Sequence, residues 1–312
     1  MNTRMKITLL VAVLLCLVPP RATAGDRSGT VAENFLKLPL DARTVGLAGA
    51  EVALAWGPTS IAYNAAGMMA VDDYAFGATY TSWFAGISNG FAGVVKRIPD
   101  VGAIGVGVVS LSSGDMAETT PQYPEGTGRT FQTSDYAFSV AFARQVSDQF
   151  MVGINGKVIR SYLFNTEVGA GTFAIDIGTL YDIPILHSRL GVSLTNIGKD
   201  IQFINETYSL PTALRFGVLV DVMKDNQQSL VSTLQVSRLN DANELYAFGA
   251  EYTFDNVVAL RGGRKFGYDQ ENWTFGFGVK VNSMGLNGTV DYGFNNFVYL
   301  PATHTFTFAL QF

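Results

Sequence analysis

Residues 272–281 read NWTFGFGVKV, and residues 284–294 read MGLNGTVDYGF. In the first stretch Trp273, Phe275, Phe277, Val279 and Val281 alternate with Asn272, Thr274, Gly276, Gly278 and Lys280. In the second, Met284, Leu286, Gly288, Val290, Tyr292 and Phe294 alternate with Gly285, Asn287, Thr289, Asp291 and Gly293. Apolar residues at every second position over ten residues describe a β-strand with one apolar face. Residues 246–254 and 214–222 repeat the pattern, with Phe248 and Phe216 on the apolar parity and Glu251 and Arg215 on the other.

Working outward from these stretches, the same reading predicts fourteen strands. They are 74–84, 90–97, 102–112, 134–145, 150–160, 172–182, 188–196, 212–222, 228–237, 244–254, 257–265, 272–281, 284–293 and 303–312. Each is close to ten residues long, the length a strand tilted about 45° needs to cross a bilayer. Soluble sheets favour strands of about 5–6 residues and need a charged outer face. That face is missing, because charged residues make up only 15% of the chain against the usual ~25%. Gly at 33 residues is in excess, and aromatic residues reach 12%. Apolar surface without a long apolar run is the composition of a closed transmembrane β-barrel, all-β and antiparallel, whose lipid-facing and lumen-facing residues take turns.

The connections give a second, independent argument. The gaps 98–101, 146–149, 183–187, 223–227, 255–256 and 282–283 are short. The gaps 113–133, 161–171, 197–211, 238–243, 266–271 and 294–302 are mostly longer. Outer-membrane barrels have short periplasmic turns and longer external loops, with both termini on the periplasmic side. The chain closes on a strand in which Phe306, Phe308, Leu310 and Phe312 share one face, which resembles the C-terminal signature of bacterial outer-membrane proteins.

Residues 1–24 read as a secretory signal peptide. Arg4 and Lys6 precede an apolar run from Ile7 to Val18, and Ala22-Thr23-Ala24 is a small-x-small cleavage site. Its loss removes three of 21 basic residues and none of the 26 acidic ones, which leaves a charge of −8. Cys16, the only cysteine, lies within it, so the mature chain has no thiol for a disulfide, zinc site or nucleophile. A negative chain without a basic cluster also argues against nucleic acid.

Residues 25–72 do not alternate. Asp41 is placed to cap a helix running toward Ala55. Ser60 is placed to cap a second helical turn that Gly67 would stop, with Trp56-Gly57-Pro58 breaking between them. The small residues suit a plug inside the lumen, and the alternative is a flexible periplasmic lead-in. The run Leu38-Pro39-Leu40-Asp41-Ala42-Arg43, then Gly46, Gly49-Ala50 and Ala53, then Asn64-Ala65-Ala66-Gly67, resembles the start of the PorV/PorQ family. Ala65 stands where the family pattern has Pro. The resemblance implies a FadL-like outer-membrane barrel of fourteen strands. It also implies a partner of the translocon or attachment complex in type IX protein secretion. FadL relatives instead carry hydrophobic compounds, so transport of a hydrophobic small molecule is the other function it implies. A mature chain of 288 residues, 24 fewer than the full 312, looks short for the secretion-dedicated member, which would reduce the external loops.

Enzymatic signals are weak. Gly86-Ile87-Ser88-Asn89-Gly90 matches a nucleophile elbow, but it falls between two strands where the elbow needs a helix. His187 and His304 fall at opposite ends of the expected barrel, and no metal-binding, phosphate-loop or dinucleotide motif occurs. The expectation is a non-enzyme without cofactors, exported to the outer membrane and surrounded by its lipids. On the polar parity lie Arg215, Asp221, Glu251, Arg261, Lys265, Lys280 and Asp291. They would either line a charged channel or form buried ion pairs that fill the barrel and hold a plug. The expected external loops carry apolar residues, namely Leu163 and Phe164, Phe203 and Tyr208, and Phe297 and Tyr299. These either fold down as a lid or interfacial girdle, or dock a partner protein.

Overall fold

The computed structural model of the chain describes residues 29–164, 168–283 and 286–312. The signal peptide expected at 1–24 lies outside them, as do Met284 and Gly285. Fourteen strands form the wall. They are β1 (Tyr74–Ser82), β2 (Ser88–Ile98), β3 (Gly102–Ser112), β4 (Ser134–Ser147), β5 (Phe150–Leu163), β6 (Val168–Ile183) and β7 (Ser188–Gly198). They continue as β8 (Ala213–Lys224), β9 (Gln228–Leu239), β10 (Leu245–Phe254), β11 (Val258–Phe266), β12 (Glu271–Ser283), β13 (Leu286–Phe297) and β14 (Thr303–Gln311). Each pairs with its sequence neighbours, and β1 pairs antiparallel with β14, so the sheet closes with no edge left open.

The parity argument describes the wall. Trp273, Phe275 and Phe277 are exposed on the outside, while Thr274 between the first two and Gly278 after the last are buried. On β14, His304, Phe306 and Phe308 are exposed and Thr303, Thr305 and Thr307 are buried. Phe312 follows β14 directly, and its N–H donates to the Tyr74 carbonyl at 2.9 Å, so the closing strand is tied at its last residue.

One end of the barrel carries short turns, such as 148–149 and 225–227, and both the start of β1 and Phe312. The other carries the longer connections, including 113–133 and 199–212. The expected loop 161–171 is corrected here. Pairing continues through Ser161↔Ala170, Tyr162↔Gly169 and Leu163↔Val168, so only positions 164–167 lie between the paired strands. Gly171, read as loop, is there for space: a Cβ on it would lie 2.9 Å from Arg160 Cδ. The loop 199–212 contains its own small hairpin, Ile201–Phe203 against Glu206–Tyr208. Phe297 is likewise corrected: it is the last residue of β13, buried against the rings of Trp83 and Phe84 at 5.8 and 6.0 Å.

The N-terminal segment folds into short turns inside this wall. Helix α1 covers only Ala42–Gly46, and the chain then bends through Ala48 and Gly49, both at positive φ. The longer helix expected up to Ala55 does not form. Helix α2 covers Ser60–Tyr63, with Thr59 rather than Ser60 at its cap position. A 3₁₀ segment, Ala65–Ala70, follows and contains Gly67, which therefore does not stop the helix. Gly67 is needed for close approach, since a Cβ there would lie 2.5 Å from the Ala55 carbonyl oxygen.

Candidate functional site

The interior is where the chain's charges and glycines gather. The wall offers a glycine track along which the N-terminal backbone lies. A Cβ on Gly249 would lie 2.8 Å from Leu47 Cα, and one on Gly263 would lie 2.6 Å from the Ala48 nitrogen. Gly46 meets Gly276 of β12 in the same way, with a Cβ placed 2.9 Å from its Cα. The excess of glycine thus has a location, which composition alone could not supply.

Residues 42–52 are held by the wall of β8–β14. Asp41 caps α1 by accepting from the Thr44 N–H at 2.7 Å and the Thr44 hydroxyl at 2.6 Å. Arg43 donates to both oxygens of Glu251, at 2.8 and 2.7 Å. Arg261 donates to the same carboxylate at 2.6 Å and to Asp291 at 2.5 Å. The side chain of Gln235 accepts from the N–H groups of Glu51 and Val52, both at 2.9 Å. It also donates to the Gly49 carbonyl at 3.1 Å. Arg215 stands 3.4 Å from Glu51.

Residues 35–40 and 60–71 are held by the wall of β2–β6, largely through apolar packing. Phe35, Leu40 and Tyr63 pack with Phe91, Val109 and Ile159. Ile61 and Met68 pack with Val95, Ala103 and Ala141. Asn64 joins the two parts of the segment to the wall: its amide donates to the carbonyls of Val52 and Thr179, each at 3.0 Å. Glu33, nearer the long-connection end, is buried beside Ser161 of β5 and Asp135 of β4. Burial pushes its carboxyl up to about 7; the Ser161 hydrogen bond works against that shift and the Asp135 charge adds to it.

The structure brings Arg215, Glu251, Arg261 and Asp291 together around the segment. Lys265 is also buried, paired with Glu271 toward the long-connection end. Asp221 lies apart from this network, near the short-turn end, where its N–H donates to the His187 carbonyl. Lys280 lines a cavity of about 300 Å³, and its side chain makes no hydrogen bond or ion pair among the described residues. Leu54, Trp56 and Pro58 line that cavity together with Asp41, Arg43 and Asp291. Asn64 was legible only as a motif residue, and the sequence reading did not single out Gln235. Their bonds to backbone 115 to 186 positions away leave no local signal.

The outer ends of the loops differ from the lumen. Ile204 is 76% exposed at the tip of its hairpin, Tyr208 is exposed at the hairpin's base, and Tyr299 is 83% exposed, flanked by exposed Val298 and Leu300. Phe203 is half-buried against the Tyr208 ring at 6.5 Å. Ser88 of the nucleophile-elbow match begins β2 directly after a 3₁₀ turn, with no helix behind it.

A closed fourteen-stranded wall around an inserted N-terminal segment defines a FadL-like outer-membrane barrel. The P. putida toluene transporter TodX superposes with a TM-score of 0.61 at 10% identity, over 87% of this chain and 98% of that one. The Ralstonia pickettii toluene transporter TbuX gives 0.60 at 14%, over 87% and 97%. A Pseudomonas aeruginosa FadL homologue gives 0.54 at 11%, over 88% and 98%. At these identities the likeness establishes the fold. The chain belongs to the PorV family: the model of that family, described as type IX secretion system protein PorV, matches residues 21–243. No curated protein sequence matches it significantly. Family and neighbours are barrels of secretion or transport.

Proposed function

We propose that this chain is a docking component of the outer membrane that binds a partner protein at its external rim. In this reading it serves secretion or surface attachment of the type IX kind, with residues 30–72 as a fixed plug and the short-turn end in the periplasm. One observation carries the reading: the lumen is filled from two sides by the chain's own segment, while apolar side chains stand uncovered on the loops. Ile204, Tyr208, Val298 and Tyr299 are exposed where water and sugar would surround them, and uncovered apolar residues concentrated on loops mark interaction sites. The test is to replace these four together with serine. The barrel should assemble and keep its heat-resistant mobility in detergent but lose its co-purifying partner from solubilised outer membranes. Unchanged capture of the same partner refutes the reading.

A second reading, passage of a hydrophobic small molecule, draws on the cavity of about 300 Å³, with Leu54, Trp56 and Pro58 in its lining. It also draws on the toluene transporters among the structural neighbours. Arg43, Arg261, Lys280 and Asp291 line the same cavity and suit such a molecule poorly. Toluene flux into proteoliposomes above that of empty vesicles, abolished by Trp56→Ala, would replace the docking reading with this one.

A further inference from the structure

Two cations on the outer face of the barrel sit on aromatic rings, one at each rim. Lys96 of β2, at the short-turn end, lies 3.6 Å from the centre of the Tyr74 ring and is ion-paired with Asp73. Arg264 of β11, near the long-connection end, has its guanidinium carbon 4.4 Å from the Trp273 ring and 5.7 Å from the Phe266 ring. No acidic side chain among the described residues pairs with it. It shares the outward parity of β11 with Leu260 and Phe266, both exposed, while Arg261 and Lys265 between them face the lumen. At one rim the chain supplies the counter-charge itself. At the other it supplies only the platform.

We propose that Arg264 binds the phosphate of an outer-leaflet lipid. Guanidinium stays charged at any working pH, and its planar fork of N–H groups matches phosphate oxygens in pairs. The Trp273 ring beneath it holds the guanidinium by a cation–π contact, and no carboxylate among the described residues takes its charge. Depth selects a lipid over a protein partner. Arg264 lies two residues inside the end of β11, about 7 Å along the strand, and its flanking outward neighbours are apolar: Leu260 on its own strand, Phe248 opposite on β10 and Phe275 on β12. Acyl chains fit against those side chains while the headgroup phosphate reaches the arginine. An unneutralised cation on this face costs about 2–4 kcal/mol at the bilayer midplane and about 0–1 near the interface, so Arg264 sits where a phosphate counter-charge is useful.

The proposal rests on the reading that the long-connection end faces outward, and the experiment separates the two. Full-length barrel in neutral detergent is presented with three probes. They are bisphosphorylated lipid A, the same acylated disaccharide without phosphates, and inorganic phosphate. Retained lipid is counted by native mass spectrometry, and heat-resistant gel mobility checks the fold of every variant. Wild type should retain the phosphorylated lipid and not the dephosphorylated one. R264Q should bind about tenfold more weakly, R264K should fall between them, and K96Q should behave as wild type. Equal retention by folded R264Q, equal binding of the dephosphorylated lipid, or full displacement by inorganic phosphate overturns the proposal. Labelling of Tyr299→Cys on intact cells with an impermeant maleimide reports orientation separately. If that cysteine is unreactive while Arg264 still selects phosphate, the outer-leaflet assignment falls and the phosphate selection stands.

Discussion

The two sides of the lumen hold the same N-terminal segment by different physics. On β8–β14 the contacts are charged and amide groups: Arg43 and Arg261 share Glu251, and Gln235 holds three backbone groups of residues 49–52. On β2–β6 they are mostly apolar, with Phe35, Ile61 and Met68 among the buried side chains. Apolar contact tolerates small displacements, whereas the forked guanidinium–carboxylate pair sets distance and angle. The charged wall therefore fixes the register of the segment and the apolar wall supplies its adhesion. A buried ion network is poor evidence for net stability, because desolvation offsets much of the attraction.

That division makes the charged wall fragile in a specific way. Glu251→Ala leaves both Arg43 and Arg261 short of their shared carboxylate, and removal of one partner from a buried network costs about 3–5 kcal/mol. The expected result is a lower denaturation midpoint in detergent, together with protease cleavage within residues 30–72. An unchanged midpoint would mean that water already neutralises this network.

The apolar wall should lose less, and without releasing a charge. Met68→Ala removes a fully buried side chain beside Val95 and Ala141. The expected loss is about 2–5 kcal/mol, read on the same denaturation curve, with the segment retained and protected because register is set on the other side. Release of the segment by Met68→Ala alone would break the comparison, since adhesion and register would then be the same property.

Much of this was written in the sequence at short range and little of it at long range. Period two is local, so Trp273, Phe275 and Phe277 announce the outward face of β12 unaided, and all fourteen strands stand where the alternation put them. The helix expected from Asp41 to Ala55 was misread because Ala and Val favour or tolerate helix. The closely packed Gly263 and Gly249, more than 200 residues later, instead require the chain to turn at Ala48 and Gly49. Gly169 and Gly171 were read as loop, although both pair in a continuing hairpin and Gly171 makes room there for the Arg160 side chain. Lumen parity identified Arg215, Glu251, Arg261 and Asp291 as inward residues. Parity gives direction without partner, so the joining of Glu251 to both Arg43 and Arg261 was beyond it.

A smaller effect tests the cap that starts the charged side. Asp41→Ala removes the side chain that accepts from Thr44, at an expected loss of about 0.5–2 kcal/mol. Asp41→Asn should recover most of it by keeping an acceptor in place. Hydrogen exchange at the Thr44 and Val45 amides reads the local change directly, and no increase in exchange for Asp41→Ala would show that packing rather than the cap holds α1.

Glu33 is the exception that sharpens the comparison, because it places a carboxyl on the mostly apolar side. Its two oxygens lie 2.8 and 2.9 Å from the Ser161 hydroxyl, which also stands 2.6 Å from Asp135. One hydroxyl proton cannot serve both carboxylates at once, so the cluster is best satisfied when one carboxyl carries a proton of its own. Burial raises Glu33 from 4.5 to about 7. A raised acid binds its proton more tightly in the folded state than in the released one. Its contribution is then fully present below pH 4.5 and is lost as pH rises through about 7. The hold on residues 30–40 should therefore loosen across that window, seen as faster amide exchange at Phe35 and Leu36 after correction for the intrinsic pH dependence of exchange. Glu33→Gln should remove the dependence while keeping a side chain that can still hydrogen-bond Ser161. If the variant loosens over the same window as the wild type, another group drives the change, and the apolar side has no proton-dependent part at Glu33.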